Sequence, residues 1–404
     1  MTSVRPVETS GRQRIAGMVP PRLVSYSHSH AVQHAAVYVA FVCFYLAIIT
    51  PVRYPVAFYD ELLYLGFARW FSGTGVMPIL WHGVLGHFGY SLFIAPAFAL
   101  VNGFASQYKA VLVINCLLLP TTYLSLYGII HSVWPTTSRP VAMTISVVAC
   151  LYPSFSLYPT FAGSENAFVP AFAALILVTI KYLHNPSVFW AILLGTLATV
   201  TFAVHNRGLS VVLLIGAAIA AGALRRRLPA VPSATALAVT ALGCWAVVAF
   251  KRYLEQTTGV PFPDPIAQPF ATSHIMPFLR CFGGQIFGLC IATAGLYVFG
   301  LVAWLRALKS GSRSTQLVSA VLLLSHILVI FGSAFFLSGQ DTNRLDHVLI
   351  GRYSEGTLAP ILVAGLALLH HARHPLRGGA DRVLDLDAGE ILLPALDHDA
   401  PGIG

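Results

Sequence analysis

Two adjacent carboxylates, Asp60 and Glu61, stand in FYDELLYLGFARWF (58–71), directly after an apolar run in a chain with only 10% charged residues. A carboxylate held at a membrane surface can accept the proton of an attacking hydroxyl. It can also do no more than complement the dipole of a helix that starts there. Both readings stand for Asp60. Glu165, in PTFAGSENAFVPAF, lies beside Asn166 at the mouth of another apolar run. An ionisable residue at that depth faces a cavity or a partner rather than lipid; the alternative is a Ser164 cap followed by a surface carboxylate. FAVHNRGLSVV places His205 and Arg207 in a short turn between two apolar runs. An anion, whether Glu165, Asp60 or a bound phosphate, accounts for cations in such a turn, and a simple interfacial arginine is the alternative. Ser338 to Gly365 crowds Asp341, Arg344, Asp346, His347, Arg352, Tyr353 and Glu355 into one segment. The guanidinium fork of Arg352 suits a phosphate bidentately and Tyr353 suits an interface, although some of these charges must also pair with each other.

The elements that would position these residues are apolar. Of 404 residues, 56% are hydrophobic, and the mean hydropathy is +0.74. A single anchor cannot produce that average, so the hydrophobicity is spread over many spans. Runs able to cross about 30 Å of hydrocarbon lie near 35–52, 108–131, 140–158, 164–183, 187–204, 209–224, 233–250, 285–307, 316–338 and 354–371. A shorter run, 89–103, contains Pro96. Were it to span, Arg225, Arg226 and Arg227 would be forced outward against the positive-inside rule. It is therefore expected in the interface or re-entering, which leaves about ten spans with both termini inside.

The expected organisation is an N-terminal cytoplasmic tail (1–33), a transmembrane domain (34–371) with outer loops 53–107, 251–284 and 339–353, and a C-terminal cytoplasmic tail (372–404). On this topology Asp60, Glu61, Glu165, His205, Arg207, Arg352 and Glu355 share the outer face. LLYLGFARWF suits a helix lying at the membrane surface. Loop 251–284, rich in proline and aromatic residues, reads as a packed lid.

Several function classes receive no support. The net charge of +9 is scattered over short loops, so nucleic acid is not an expected partner. The six cysteines, including Cys281 and Cys290, lack metal-ligand spacing and read as small buried hydrophobes. There is no Walker motif, HExxH or GxSxG.

The order of motifs resembles a known family. The Asp-Glu pair, Ala68–Arg69, GYSLFIAP, the Glu165–Asn166 mouth and GRY before the final span are similar to the GT-C superfamily, especially uncharacterised actinobacterial members. These are integral-membrane glycosyltransferases using polyprenyl-phosphate sugars, and they include protein mannosyltransferases and the aminoarabinose transferase of lipid A. The likeness covers roughly 35–370, and the short polar C-terminal tail departs from members that carry a soluble domain.

The resemblance implies an all-α polytopic membrane protein with an interfacial helical first outer loop, in the cell membrane, with its active site on the extracytoplasmic face. It implies Asp60 as catalytic base, with Glu61 as neighbour and possible substitute. The cations expected at the donor phosphate are Arg352 and Arg207 with Tyr353, ahead of Lys251 and Arg252, while Glu165, Asn166 and His205 orient substrate. The partners would be a polyprenyl-phosphate sugar, a glycan, lipid or protein acceptor, and membrane lipid. No metal site is expected, although Mg²⁺ or Mn²⁺ could replace an arginine's work. The rival reading is a transporter or flippase of a lipid-linked or anionic solute, which mid-span His326 favours, although a structural hydrogen bond is the commoner role for a lone intramembrane histidine.

Overall fold

The structure, a computed structural model, describes residues 21–56, 59–76, 87–259, 275–338 and 352–373, with only the backbone described for 21–29, Tyr59, Thr258, Arg352, Tyr353 and Arg373. Among these residues it is all α-helix, with no strand. Asp341, Arg344, Asp346 and His347 lie outside the described residues, as do most of both tails.

Among the described residues, seven helices are long and apolar enough to cross a membrane, and an eighth crossing arises if the bent pair Arg139–Cys150 and Pro153–Thr160 is one span. The shorter apolar helices 188–204 and 359–372 fall where the remaining two spans are expected. The protein is an all-α, multi-pass membrane protein.

Helix α1 (Pro21–Ile49) begins inside the stretch expected to be tail. At its far end the Lys109 ammonium donates to the Ile49 carbonyl, and to those of Thr50 (3.2 Å) and Val52 (3.2 Å). A cation there satisfies carbonyls that the helix itself leaves unbonded. The acidic pair lies in the first turn of α2 (Tyr59–Phe71). Leu63, Leu65, Phe67 and Ala68 are buried against the bundle while Leu62 and Arg69 are exposed, so α2 is a packed amphipathic helix.

Its partner α3 (Gly89–Leu100) is the short run expected not to span. Twelve residues rise only about 18 Å, well short of a bilayer core. Ser91 donates to the Tyr64 carbonyl (3.0 Å) and the Tyr90 hydroxyl to Asn115 Oδ1 (2.7 Å), so α3 is clasped between α2 and α4 (Phe104–Leu118). Helix α5 (Thr121–Val133) completes the run from 104 to 133.

Two expected spans differ in form. Run 140–158 is α6 (Arg139–Cys150), then α7 (Pro153–Leu157) and a 3₁₀ turn (Tyr158–Thr160), bent by 67°. Pro153 has no N–H and pushes the preceding residue out of the helical region; Tyr152 accordingly has φ −51 and ψ 132. Run 285–307 is not one helix but two, α12 (Ile275–Ala292) and α13 (Leu296–Ser310). The break is at Ala294 and Gly295, both left-handed, with Gly295 N–H returning to the Cys290 carbonyl (2.7 Å).

Helices α8 (Glu165–His184), α9 (Val188–Val204), α10 (Gly208–Leu224) and α14 (Arg313–Ser338) fall where expected, and α11 (Ala230–Thr258) runs on past Lys251 and Arg252. Residues 251–258 and 275–284 of the expected outer loop are thus helical. The chain closes through α15 (Arg352–Glu355) and α16 (Ala359–Arg373).

Cys116, Cys150 and Cys281 are buried as expected, whereas Cys244 and Cys290 are half-buried and Cys43 is exposed; all six are free thiols. His326, mid-way along α14, is fully buried between Thr357 Oγ1 (2.7 Å to Nδ1) and the Tyr297 hydroxyl (2.9 Å to Nε2). It joins α14 to α13 and to the approach to α16.

Candidate functional site

The two residues of the acidic pair have different surroundings. Glu61 is buried, and its Oε1 accepts from the Tyr108 hydroxyl (2.7 Å) and from the Ala162 backbone N–H (2.8 Å). Asp60 is half-buried. Successive helical residues point about 100° apart, so only one of the two can face the bundle, and the other is left towards the rim. Glu61 fastens the start of α2 to α4 and to the segment that follows the bent helix.

That segment, 152–166, is held along its length. Asn115 Nδ2 donates to the Phe161 carbonyl (3.0 Å), and Asn166 Nδ2 lies within 2.9–3.1 Å of the carbonyls of Tyr158, Phe161 and Gly163. Glu165, at the start of α8, is buried rather than the surface carboxylate a simple cap would give, and Ser164 makes no side-chain cap bond. At the other end of the segment, Glu355 accepts from three hydroxyls: Tyr152 (2.9 Å) and Ser154 (2.9 Å) on Oε1, and Tyr158 (2.7 Å) on Oε2. Three donors on one buried carboxylate satisfy the charge locally. They also dock α15, the helix that begins with Arg352, against the bent helix.

A basic cluster lies beside this acidic one. The turn between α9 and α10 carries His205, Asn206 and Arg207, all half-buried. Arg207 N–H donates to His205 Nδ1 (3.2 Å), and Asn206 N–H to His87 Nε2 (3.3 Å). The rings of His87 and His205 are 4.8 Å apart, and His205 meets the edge of Phe168 on α8 (5.9 Å). Lys251 donates to Asn206 Oδ1 (2.8 Å), lies 3.5 Å from His87 Nδ1 and stands over the Phe202 ring (4.9 Å). The tightness of the corner explains why residue 89 is glycine, since a Cβ there would lie 2.4 Å from the backbone of Ala203. Burial first, then the charges of Lys251 and Arg207, hold the His87 imidazole well below its ordinary pKa of 6.5. The ring is therefore neutral.

The two clusters share Tyr158. Glu355, Glu165 and Arg207 all act electrostatically on its hydroxyl. Of the residues expected from sequence, Asp60, Glu61, Glu165, Asn166, His205 and Arg207 thus gather at one end of the bundle. The side chains of Arg352 and Tyr353 lie outside the described residues, although Glu355 brings their helix to the same place. Asn166 turns its amide to the backbone of its own turn.

Tyr108, Asn115, Tyr158 and His87 carry no role in the sequence expectations, and Lys251 stands there behind Arg352 and Arg207. The histidine directly ahead of FGYSLFIAP, and tyrosines within otherwise apolar runs, were the available signals.

No family model matches the chain, and no curated protein matches it. Among solved structures, the chain is similar to the crystal structure of ArnT from Cupriavidus metallidurans in the apo state. Identity is 13% and the TM-score 0.51, with 85% of this chain and 60% of that chain covered. The fold resembles ArnT's. The chain thus spans less than two thirds of ArnT's length, and at this identity the likeness concerns architecture alone.

Proposed function

We propose that the protein is a membrane glycosyltransferase that moves a sugar from a polyprenyl-phosphate donor to an acceptor hydroxyl. The fold likeness to ArnT supports a glycosyltransferase working from a lipid-linked sugar at the level of the superfamily. The observation that carries the reading to this chain is the anchoring around segment 158–166. That stretch holds the acidic start of α2 through Ala162, and the first turn of α8 that follows it meets the basic turn through Phe168 against His205.

In this reading Asp60, the less buried carboxylate, is the base. It takes the acceptor O–H proton as that oxygen bonds to the anomeric carbon. The bond from that carbon to the phosphate oxygen breaks with inversion through an oxocarbenium-like state, and polyprenyl phosphate leaves with the electron pair. The leaving anion needs cations, a task for Arg207 and Arg352, with Lys251 joining them and Tyr353 at the interface. Glu61 places Asp60, while Glu165, Asn166 and His205 hold the wall against which substrate is oriented. The site faces the extracytoplasmic side. The acceptor is a glycan, lipid or protein, and Mg²⁺ or Mn²⁺ assistance is left to the assay.

The test is purified protein in lipid with a panel of polyprenyl-phosphate sugars, with and without Mg²⁺ or Mn²⁺, and with cell-extract acceptors. Release of polyprenyl phosphate is followed by mass spectrometry. One donor turned over by wild type and not by Asp60→Asn is the expected result. No release from any donor under any condition would overturn the reading in favour of transport of a lipid-linked or anionic solute.

A further inference from the structure

A cleft of about 840 Å³ lies at the opposite end of α1 from the acidic pair. Its polar rim is His30, Gln33 and Arg139, and its walls are Val37, Met143 and Val147. The lining residues on α1 are 12 to 19 positions before Ile49, so at 1.5 Å per residue the cleft is roughly 20–30 Å down the helix from the end that leads to Asp60. That is close to a bilayer's hydrocarbon thickness. The cleft is therefore not part of the site proposed above.

Its chemistry is graded. Arg139 is exposed and donates to His30 Nε2 (2.6 Å), and His30 Nδ1 in turn lies 3.3 Å from Gln33 Oε1. Gln33 Oε1 can only accept, which fixes the tautomer: Nδ1 carries the proton and Nε2 receives the guanidinium. His30 orients Arg139 without opposing its charge. Arg139 also opens α6, where Ser138 makes no side-chain cap bond, so the first-turn N–H groups of Arg139 and Val141, on either side of Pro140, add to the positive rim. Below the rim, Val37, Met143 and Val147, with Pro140 and Thr144, line a mostly apolar wall.

A fixed cation at the bilayer edge above a mostly apolar wall is complementary to one kind of molecule. We infer that this cleft between α1 and α6 binds an anionic glycerophospholipid, its phosphate on Arg139 and one acyl chain along Val37, Met143 and Val147.

The experiment is native mass spectrometry of delipidated protein in detergent, titrated with phosphatidylglycerol, phosphatidylcholine or inorganic phosphate. One phosphatidylglycerol per chain is expected to be retained saturably, at least fivefold over phosphatidylcholine, and not displaced by an equal concentration of phosphate. Arg139→Gln, which blunts the rim, and Met143→Trp, which fills the cleft, are each expected to cut retention at least fivefold. Arg226→Gln, at another basic turn, should leave it unchanged, and unshifted melting of the lipid-free variants confirms their fold. Equal retention of the two lipids, indifference to Arg139→Gln, or displacement by phosphate would overturn the proposal.

Discussion

Asp60 and Glu61 are neighbours with separable jobs, and substitution distinguishes them. Asp60→Asn should lower turnover about 10²–10⁴-fold, the usual worth of general-base assistance, with an unchanged melting temperature in detergent. Glu61→Gln keeps the shape but loses the charge that receives Tyr108 and Ala162 N–H. It should cost about 1–3 kcal/mol, the range for a compromised buried hydrogen bond, and lower the melting temperature directly. A third residue sets a pH dependence. Because folding depresses the pKa of His87, the unfolded chain takes up a proton near pH 6.5 that the folded chain refuses. Stability is therefore kept above pH 6.5 and declines as pH falls below it, by at most about 1.4 kcal/mol per pH unit for one group. Melting curves from pH 7.5 to 5.5 should show that decline, and His87→Gln should make it shallower. That the acidic pair starts a helix was legible in the sequence, because charge follows an apolar run and precedes an amphipathic one. Which carboxylate turns inward was not, because that depends on Tyr108, 47 positions away, and on Ala162, 101 positions away.

Helix packing places the residues, and one seam shows how closely. Gly300 on α13 faces α16 so tightly that a Cβ would lie 2.2 Å from the Ile361 carbonyl oxygen, and Gly365 returns the approach, 2.6 Å from the Leu296 oxygen. One turn on, Trp304 donates from Nε1 to the Pro360 carbonyl (3.0 Å). Small residues allow such contact between membrane helices. Gly300→Leu should force the pair apart, and the loss is read as reduced yield of folded protein and a melting temperature lowered by several degrees, as for an overpacked core site. The length of the apolar runs located most of the helices, whereas the bend of 140–158 was not expected even though Pro153 stands at it. The break in 285–307 escaped because a left-handed Ala294 has no compositional signature; only Gly295 beside it hinted at a stop. Lys251 was misplaced for a related reason. Helix α11 continues through a polar stretch whose composition alone reads as loop, and that extra turn carries the lysine to Asn206.

At the scale of the whole molecule, the placement of arginines predicts an orientation. In a background with all six cysteines replaced, Thr74→Cys in the turn after α2 should react with a membrane-impermeant maleimide on intact cells. Arg226→Cys, between α10 and α11, should react only after permeabilisation. The reverse pattern would move the proposed site to the cytoplasmic face. The parity of the spans leads only to the expectation that Asp60, Glu165 and Arg207 share one face. The hydrogen bonds that hold the site together were not legible, because Glu355 finds its three hydroxyls about 200 positions earlier in the chain. Those bonds have a consequence for how the chain tolerates change in length. Between Tyr152 and Asn166 the segment is held at its start by Glu355 on α15 and further on by Glu61 on α2 and Asn115 on α4, and Asn166 closes its end, so it has no slack. Adding or deleting a single residue there would throw one set of anchors out of register with the next. Among diverging copies of this gene, that stretch should keep its length even where its letters drift.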